Sequence, residues 1–236
     1  MQSTLASRAY HGIRERVAAA AQRAGHAARL LAVSKTQPAA AISELAAAGQ
    51  RAFGENYVQE ALAKQRELAS LNQALLNRAD SALEWHLIGP LQSNKCREVA
   101  AHFDWLQSLD REKLIEPLNR YRPAGMAPLN VLIQVNIDNE ASKSGCTPEA
   151  VPALVQAIAA APRLRLRGLM AIPEPTSELE RRRAAFQRMR QLFDELRVAH
   201  PDIDTLSLGM SEDFELAIAE GATLVRVGSA IFGLRG

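Results

Sequence analysis

The stretch RLLAVSKTQP, residues 29–38, decides the fold. Leu30 to Val33 have the composition of a short buried strand, Lys35 stands at its end, and Pro38 opens a helical pattern. A strand that runs directly into a helix is the first half of a parallel β/α unit. In an open doubly wound sheet the first such junction carries a glycine-rich phosphate loop. Here it carries SKTQP instead. A closed (β/α)8 barrel needs no such loop, and it collects functional side chains at the carboxyl ends of its strands, where Lys35 falls.

The same texture repeats outward from this point. The runs RAFGEN (51–56), EWHLIGP (84–90), WLQSLD (105–110), NVLIQVNID (130–138), RLRGLMAIP (165–173), TLSLGMS (205–211) and LVRVGSAIFG (224–233) complete a set of eight with the first. Helical patterns fill the gaps. PAAAISELAAAG has Pro38 in its first turn and Gly49 as its stop, and residues 57–78 are long enough to include a loop. Ahead of the first strand, Leu5, Ala9, Ile13, Val17 and Ala21 recur four apart, and Gly25 follows as a stop. The spacing predicts a single (β/α)8 TIM barrel over residues 1–236 with an extra N-terminal helix over 1–25. The 236 residues are close to the roughly 250 such a barrel ordinarily takes.

Composition narrows the function. With 47% hydrophobic and 23% charged residues the chain reads as a soluble globular protein. A net charge of +2 gives no basic field for nucleic acid. The five arginines of ERRRAAFQRMR (180–190) lie beside an apolar stripe of Ala185, Met189, Leu192 and Leu196, so they read as a solvated helix face. Cys96 and Cys146 match no zinc spacing and no disulfide framework, which suits a reducing compartment. Neither a signal peptide nor a membrane-spanning run is evident, so a cytoplasmic protein is expected.

Polar residues gather at the expected strand ends, the pattern of a binding mouth: Ser34, Lys35 and Thr36; Glu55 and Asn56; His86; Ser108 and Asp110; Asn136 and Asp138; Ser207 and Ser211; Arg226 and Ser229. Lys35 is either a lysine reaching into solvent or an amine held for Schiff-base chemistry. Gly228 and Ser229 offer a close-approaching backbone and amide donors after strand 8, and Gly209 and Ser211 stand on the neighbouring loop; this is the usual phosphate cradle of the architecture. Arg226 shares a face with Gly228, and a guanidinium is cheaper to place in the barrel interior than under helices. Strands 1 and 8 are neighbours in a closed barrel, so one phosphorylated aldehyde could meet all three features, and pyridoxal 5'-phosphate fits that description. Other readings stand beside these. Asn56 is also placed to cap a helix, and His86 to be a structural histidine. Lys143 in NEASKSGC is either part of a surface loop or a second lysine near the mouth.

The segments AVSKTQP, FGENYVQEALAK, EWHLIGPLQSNK, NVLIQVNID with SKSG, RLRGLMAIP, DTLSLGMSEDFELAI and VRVGSAIFG together resemble the pyridoxal phosphate homeostasis proteins, over nearly the whole chain and in order. The resemblance implies the barrel of the alanine racemase N-terminal domain. It implies that Lys35 holds pyridoxal 5'-phosphate as an internal Schiff base and that Arg226 faces the pyridine nitrogen. Ser211, Gly228, Ser229 and the Met210 backbone would then lie at the phosphate, Asn56, His86 and Met170 around the ring, and Ser207 among the cofactor-binding residues. An arginine there disfavours ring protonation and restrains carbanion chemistry. Racemases of related fold add a second domain and a partner subunit that complete the site, and no room for such a domain is expected after the eighth strand. The expectation is therefore a non-catalytic, monomeric binder that buffers cofactor or delivers it to apo-enzymes. A racemase-like enzyme acting on amino acids is the alternative, and a cofactor-free Schiff-base aldolase a more distant one.

Overall fold

A computed structural model describes residues 5–71, 82–140 and 144–233. Eight strands close into an all-parallel barrel in sequence order, β1 to β8. They are β1 (Arg29–Val33), β2 (Ala52–Glu55), β3 (Glu84–Leu87), β4 (Trp105–Leu109), β5 (Leu129–Gln134), β6 (Leu164–Met170), β7 (Thr205–Ser207) and β8 (Leu224–Val227). The helices are α1 (Leu5–Ala24), α2 (Ala39–Ala47), α3 (Val58–Leu71), α4 (Cys96–His102), α5 (Ile115–Tyr121), α6 (Val151–Ala159), α7 (Leu179–Ala199), α8 (Phe214–Ala219) and the short α9 (Ser229–Phe232). The barrel and the leading helix are thus as expected. The remainder of the 57–78 pattern beyond Leu71 lies outside the described residues.

Two helical stripes differ from their sequence reading. In α1 the buried residues are Tyr10, Ile13, Val17, Ala20 and Ala21, while Leu5 is exposed. A strict four-residue spacing drifts around a helix of 3.6 residues per turn, so the contact line passes to neighbouring positions. α7 buries Ala185, Phe186, Met189 and Phe193, so its contact line runs through the two phenylalanines, with Leu192 and Leu196 only partly covered. Its arginines face acids: Arg181 pairs with Glu174, Arg188 with Asp138 and Arg190 with Asp194. No helix among the described residues is long and apolar enough to cross a membrane. Cys96 and Cys146 are buried free thiols.

The main apolar core is the layer between strands and helices, where Ala32, Phe53 and Val225 pack. Side chains alternate along a strand, so their neighbours Leu31, Ala52 and Leu224 face the barrel axis and form a separate small cluster. Trp105, Leu132 and Met170 form another. Leu31 is in register with Arg226, which puts the arginine on the same inward face. The barrel interior therefore holds two apolar patches and a buried polar set between them.

Candidate functional site

β1 ends at Val33, so Lys35 is not a strand residue; it lies in the turn that follows, half-buried, at the carboxyl end of the barrel. That turn is held from below by charged groups that sequence reading missed. Lys64 on α3 donates to the Ser34 carbonyl at 2.7 Å and to Glu55 Oε1 and Oε2 at 2.9 and 3.0 Å. It also donates to Glu60 Oε1 at 2.6 Å. The Ser34 hydroxyl donates to Glu55 at 2.6 Å, and the Thr36 amide donates to Glu60. Both neighbours of Lys35 are thereby tied to one buried ammonium. Thr36 adopts φ +66°, a left-handed conformation that a β-branched residue takes only when its surroundings enforce it. Burial pushes the Glu55 carboxyl up, against the hydrogen bonds from Ser34 and Lys64. The signal was present in the sequence: Lys64 interrupts the apolar face of α3 between Ala61 and Leu68.

The Gly228–Ser229 bend lies directly beside this turn. β8 is in register with β1 through Val227 and Ala32, and a Cβ on Gly228 would stand 3.1 Å from the Val33 oxygen. Glycine suits this approach, because a side chain there would need Val33 to give by a few tenths of an ångström. Ser211, on the loop after β7, accepts the Gly228 and Ala230 amides at 3.4 and 3.3 Å through its hydroxyl oxygen. An oxygen is therefore already seated on backbone donors at the place expected for a phosphate. The Met210 amide donates to Asp213 Oδ1 at 2.7 Å, and the Asp213 amide donates to the Met210 carbonyl, which closes the turn ahead of α8. Like the Gly228 amide, this donor is engaged by a side-chain oxygen of the protein.

Arg226 is buried in the interior, as expected. Its Nη1 donates to the Ser207 carbonyl at 2.8 Å and to the Ser207 hydroxyl at 2.7 Å, and its Nη2 to the Ala171 carbonyl at 2.8 Å. Burial lowers the guanidinium to about 10, against the charge of Asp213, so it remains a cation at neutral pH. The Ser207 hydroxyl donates to Gln107 Oε1 at 2.7 Å, and Gln107 Nε2 reaches His86 Nδ1 at 2.9 Å. His86 Nε2 lies 2.8 Å from Glu84 Oε1, which Arg29 also contacts at 2.6 Å. His86 is fully buried and stacks on Trp105 at 5.1 Å. Both of its ring nitrogens have protein partners. Burial pushes the imidazole below its usual value, against the carboxylate of Glu84. Gln107 was missed because a lone glutamine between Leu106 and Ser108 carries no motif.

Asn56 follows β2, and Gly89 of the next loop packs on its backbone. Asn56 Oδ1 is buried with no hydrogen-bond partner among the described residues, so it does not cap α3. Met170 packs in the interior on Trp105 and Leu132. Lys143 lies outside the described residues. The rim thus brings Lys35, Asn56, Ser211, Gly228 and Ser229 to one end of the barrel, with Arg226 and Ser207 beneath. Together they supply a primary amine, backbone donors for an anion, a fixed cation and an unused buried acceptor. That set fits a phosphorylated aromatic aldehyde.

The family model for the alanine racemase N-terminal domain matches residues 10–236. The pyridoxal phosphate homeostasis protein of Pseudomonas aeruginosa is 56% identical over 223 residues, covering 93% of this chain and 91% of that protein. Its Escherichia coli K12 counterpart is 53% identical over 226 residues, 94% of each chain. The structure of PipY from Synechococcus elongatus with PLP bound has a TM-score of 0.80 at 38% identity, covering 97% of this chain and 100% of that one. Alanine racemase from Corynebacterium glutamicum, at 20% identity and a TM-score of 0.65, shares the fold, and this chain spans 62% of its length. Matched along nearly all its length, the chain belongs to the alanine racemase N-terminal domain family and, within it, to the pyridoxal phosphate homeostasis proteins.

Proposed function

We propose that this protein binds pyridoxal 5'-phosphate through Lys35 and buffers or delivers it to apo-enzymes, as a monomer in the cytoplasm, without turning over a substrate of its own. One observation carries the reading: the Gly228–Ser229 bend packs against Val33, two residues before Lys35. An amine and an anion cradle adjoin at one rim. The names of the relatives and the PLP-bound PipY structure support it from outside.

When bound, the cofactor supplies an aldehyde for condensation with a primary amine and a ring that can act as an electron sink. Lys35 provides the amine, in a turn whose two flanking residues are tied to Lys64 and its carboxylates. Ser211, Gly228 and Ser229 provide the phosphate donors, and Asn56 Oδ1 an acceptor. Arg226 would hold the ring nitrogen as a donor. It cannot take a proton from the ring, and its charge disfavours ring protonation, so the electron sink stays weak. Ser207 fixes that arginine, Met170 contributes an apolar wall, and His86 lies beneath, behind Gln107. These residues bind and orient.

The test starts with colour. Wild type mixed with pyridoxal 5'-phosphate is expected to show a visible band that borohydride abolishes, and Lys35→Ala to lack it. Loaded protein incubated with amino acids in heavy water is expected to leave their α-protons unexchanged. A colourless wild type would sink cofactor binding, and rapid exchange would sink the non-catalytic part.

A further inference from the structure

The hydrogen bonds across the barrel interior run in one direction. A guanidinium has no acceptor and a carboxylate no donor, so Arg226 at one end and Glu84 at the other are fixed in role. The hydroxyl, amide and imidazole between them each have both capacities. One assignment satisfies them all: Arg226 donates to Ser207, Ser207 to Gln107 Oε1, Gln107 Nε2 to His86 Nδ1, and His86 Nε2–H to Glu84. This requires a neutral His86 protonated on Nε2. A second proton would make Nδ1 a donor facing another donor. The Gln107 amide would then have to turn over, and its Nε2 would point at the Ser207 oxygen that already accepts from Arg226. The Ser207 proton would lose its acceptor, beside the arginine.

We propose that Gln107 is a positioning residue: through Ser207 it holds the Arg226 guanidinium in place, and it does so with His86 neutral in the Nε2–H form. The cofactor arm of the test rests on the function proposed above; the arms on free protein do not. Charged groups face His86 from several elements. Glu84 of β3 and Asp104, which precedes β4 and accepts the Trp85 amide, favour the extra proton. Arg29 of β1 opposes it, as does Arg167 of β6, which lies 4.9 Å over the Trp105 ring on which His86 stacks. Complete burial sides with the arginines, and the imidazole is lowered on balance.

Nitrogen-15 NMR of the cofactor-free protein near about pH 7.5 reads the tautomer directly. The expected result is an unprotonated Nδ1 and a protonated Nε2 on His86; a cation or the opposite tautomer overturns the proposal. Gln107→Met is expected to speed hydrogen exchange of the Arg226 guanidinium at least about tenfold and to raise the pyridoxal 5'-phosphate dissociation constant about tenfold. Gln107→Glu can accept from both Ser207 and a charged His86. It is expected to restore both quantities to within about threefold of wild type while His86 becomes a cation. For a merely structural glutamine, Arg226 exchange would not follow loss of the hydrogen bond in Gln107→Met and its return in Gln107→Glu. Arg226 exchange within about twofold of wild type in Gln107→Met refutes the positioning role. Should that variant not fold, the wild-type tautomer and Gln107→Glu decide. A wild type that binds no cofactor sinks the proposed function and leaves the two NMR arms to judge this one.

Discussion

Lys64→Met removes the ammonium beneath the Lys35 turn while keeping an unbranched stem of similar volume. Glu55 is fully buried and the Lys64 side chain is 7% exposed, so the pair is shielded from water. Breaking such a pair by removing one partner costs about 3–5 kcal/mol, because a buried charge is left uncompensated. Two features reduce that figure. The Glu60 side chain is 27% exposed and can be hydrated, and Glu55 can take up a proton because burial already holds its pKa high. The expected loss at neutral pH is therefore about 3 kcal/mol, near the low end. The sign with pH follows from the raised carboxyl: its stabilisation is present below the ordinary glutamate value and is lost as pH rises through the folded value. In the variant, with Lys64 gone, this rise is larger. Its deficit against wild type should accordingly shrink as pH falls from about 7 to about 5. Urea unfolding of both proteins at the two pH values measures it. The double variant Glu55→Gln with Lys64→Met should recover most of the loss, since no charge remains buried. A deficit below about 1 kcal/mol at neutral pH, or one that does not change with pH, refutes the account of the turn.

Three further outcomes are expected. Gly89→Ala would place a Cβ 2.2 Å from the Asn56 carbonyl oxygen, so it should cost about 2–3 kcal/mol in thermal or chemical unfolding and weaken cofactor retention; an unchanged protein would show that the loops are not packed as described. His86 is held below its ordinary value by burial, so its stabilisation is present above about pH 6.5 and lost as pH falls towards the folded value, with a slope of up to about 1.4 kcal/mol per unit that His86→Gln should flatten; equal slopes would argue against a neutral buried ring. Burial pushes the Cys146 thiol up to about 11 and raises Cys96, so native protein should react with thiol reagents at least about a hundredfold more slowly than protein in urea, and rapid labelling of both would contradict their burial.

The rim of the site was legible before the structure because strand ends are legible. Lys35, Asn56, Ser211 and Gly228 each follow an apolar run and precede a helical pattern, and barrel closure in chain order puts them together. What escaped was the layer that supports them. Lys64 and Gln107 lie inside ordinary elements, on α3 and β4, and nothing in their local composition names a partner. Met210 shows the same limit: its amide donates to Asp213, three residues on, a partner that its place after β7 does not name.

By itself the sequence determined the number of strands, their parallel order, and therefore that the amine after β1 would adjoin the bend after β8. Local periodicity and turn residues carry that information, and a closed barrel leaves a single way to join neighbours. Only the tertiary structure decided which polar groups meet: Ser207 with Gln107 across 100 residues, Lys64 with the carbonyl before Lys35, and His86 with both nitrogens occupied. Periodicity states which face a side chain takes. Its hydrogen-bond partner depends on how strands far apart in the chain line up across the axis, and in an interior closed to water those partners set its charge.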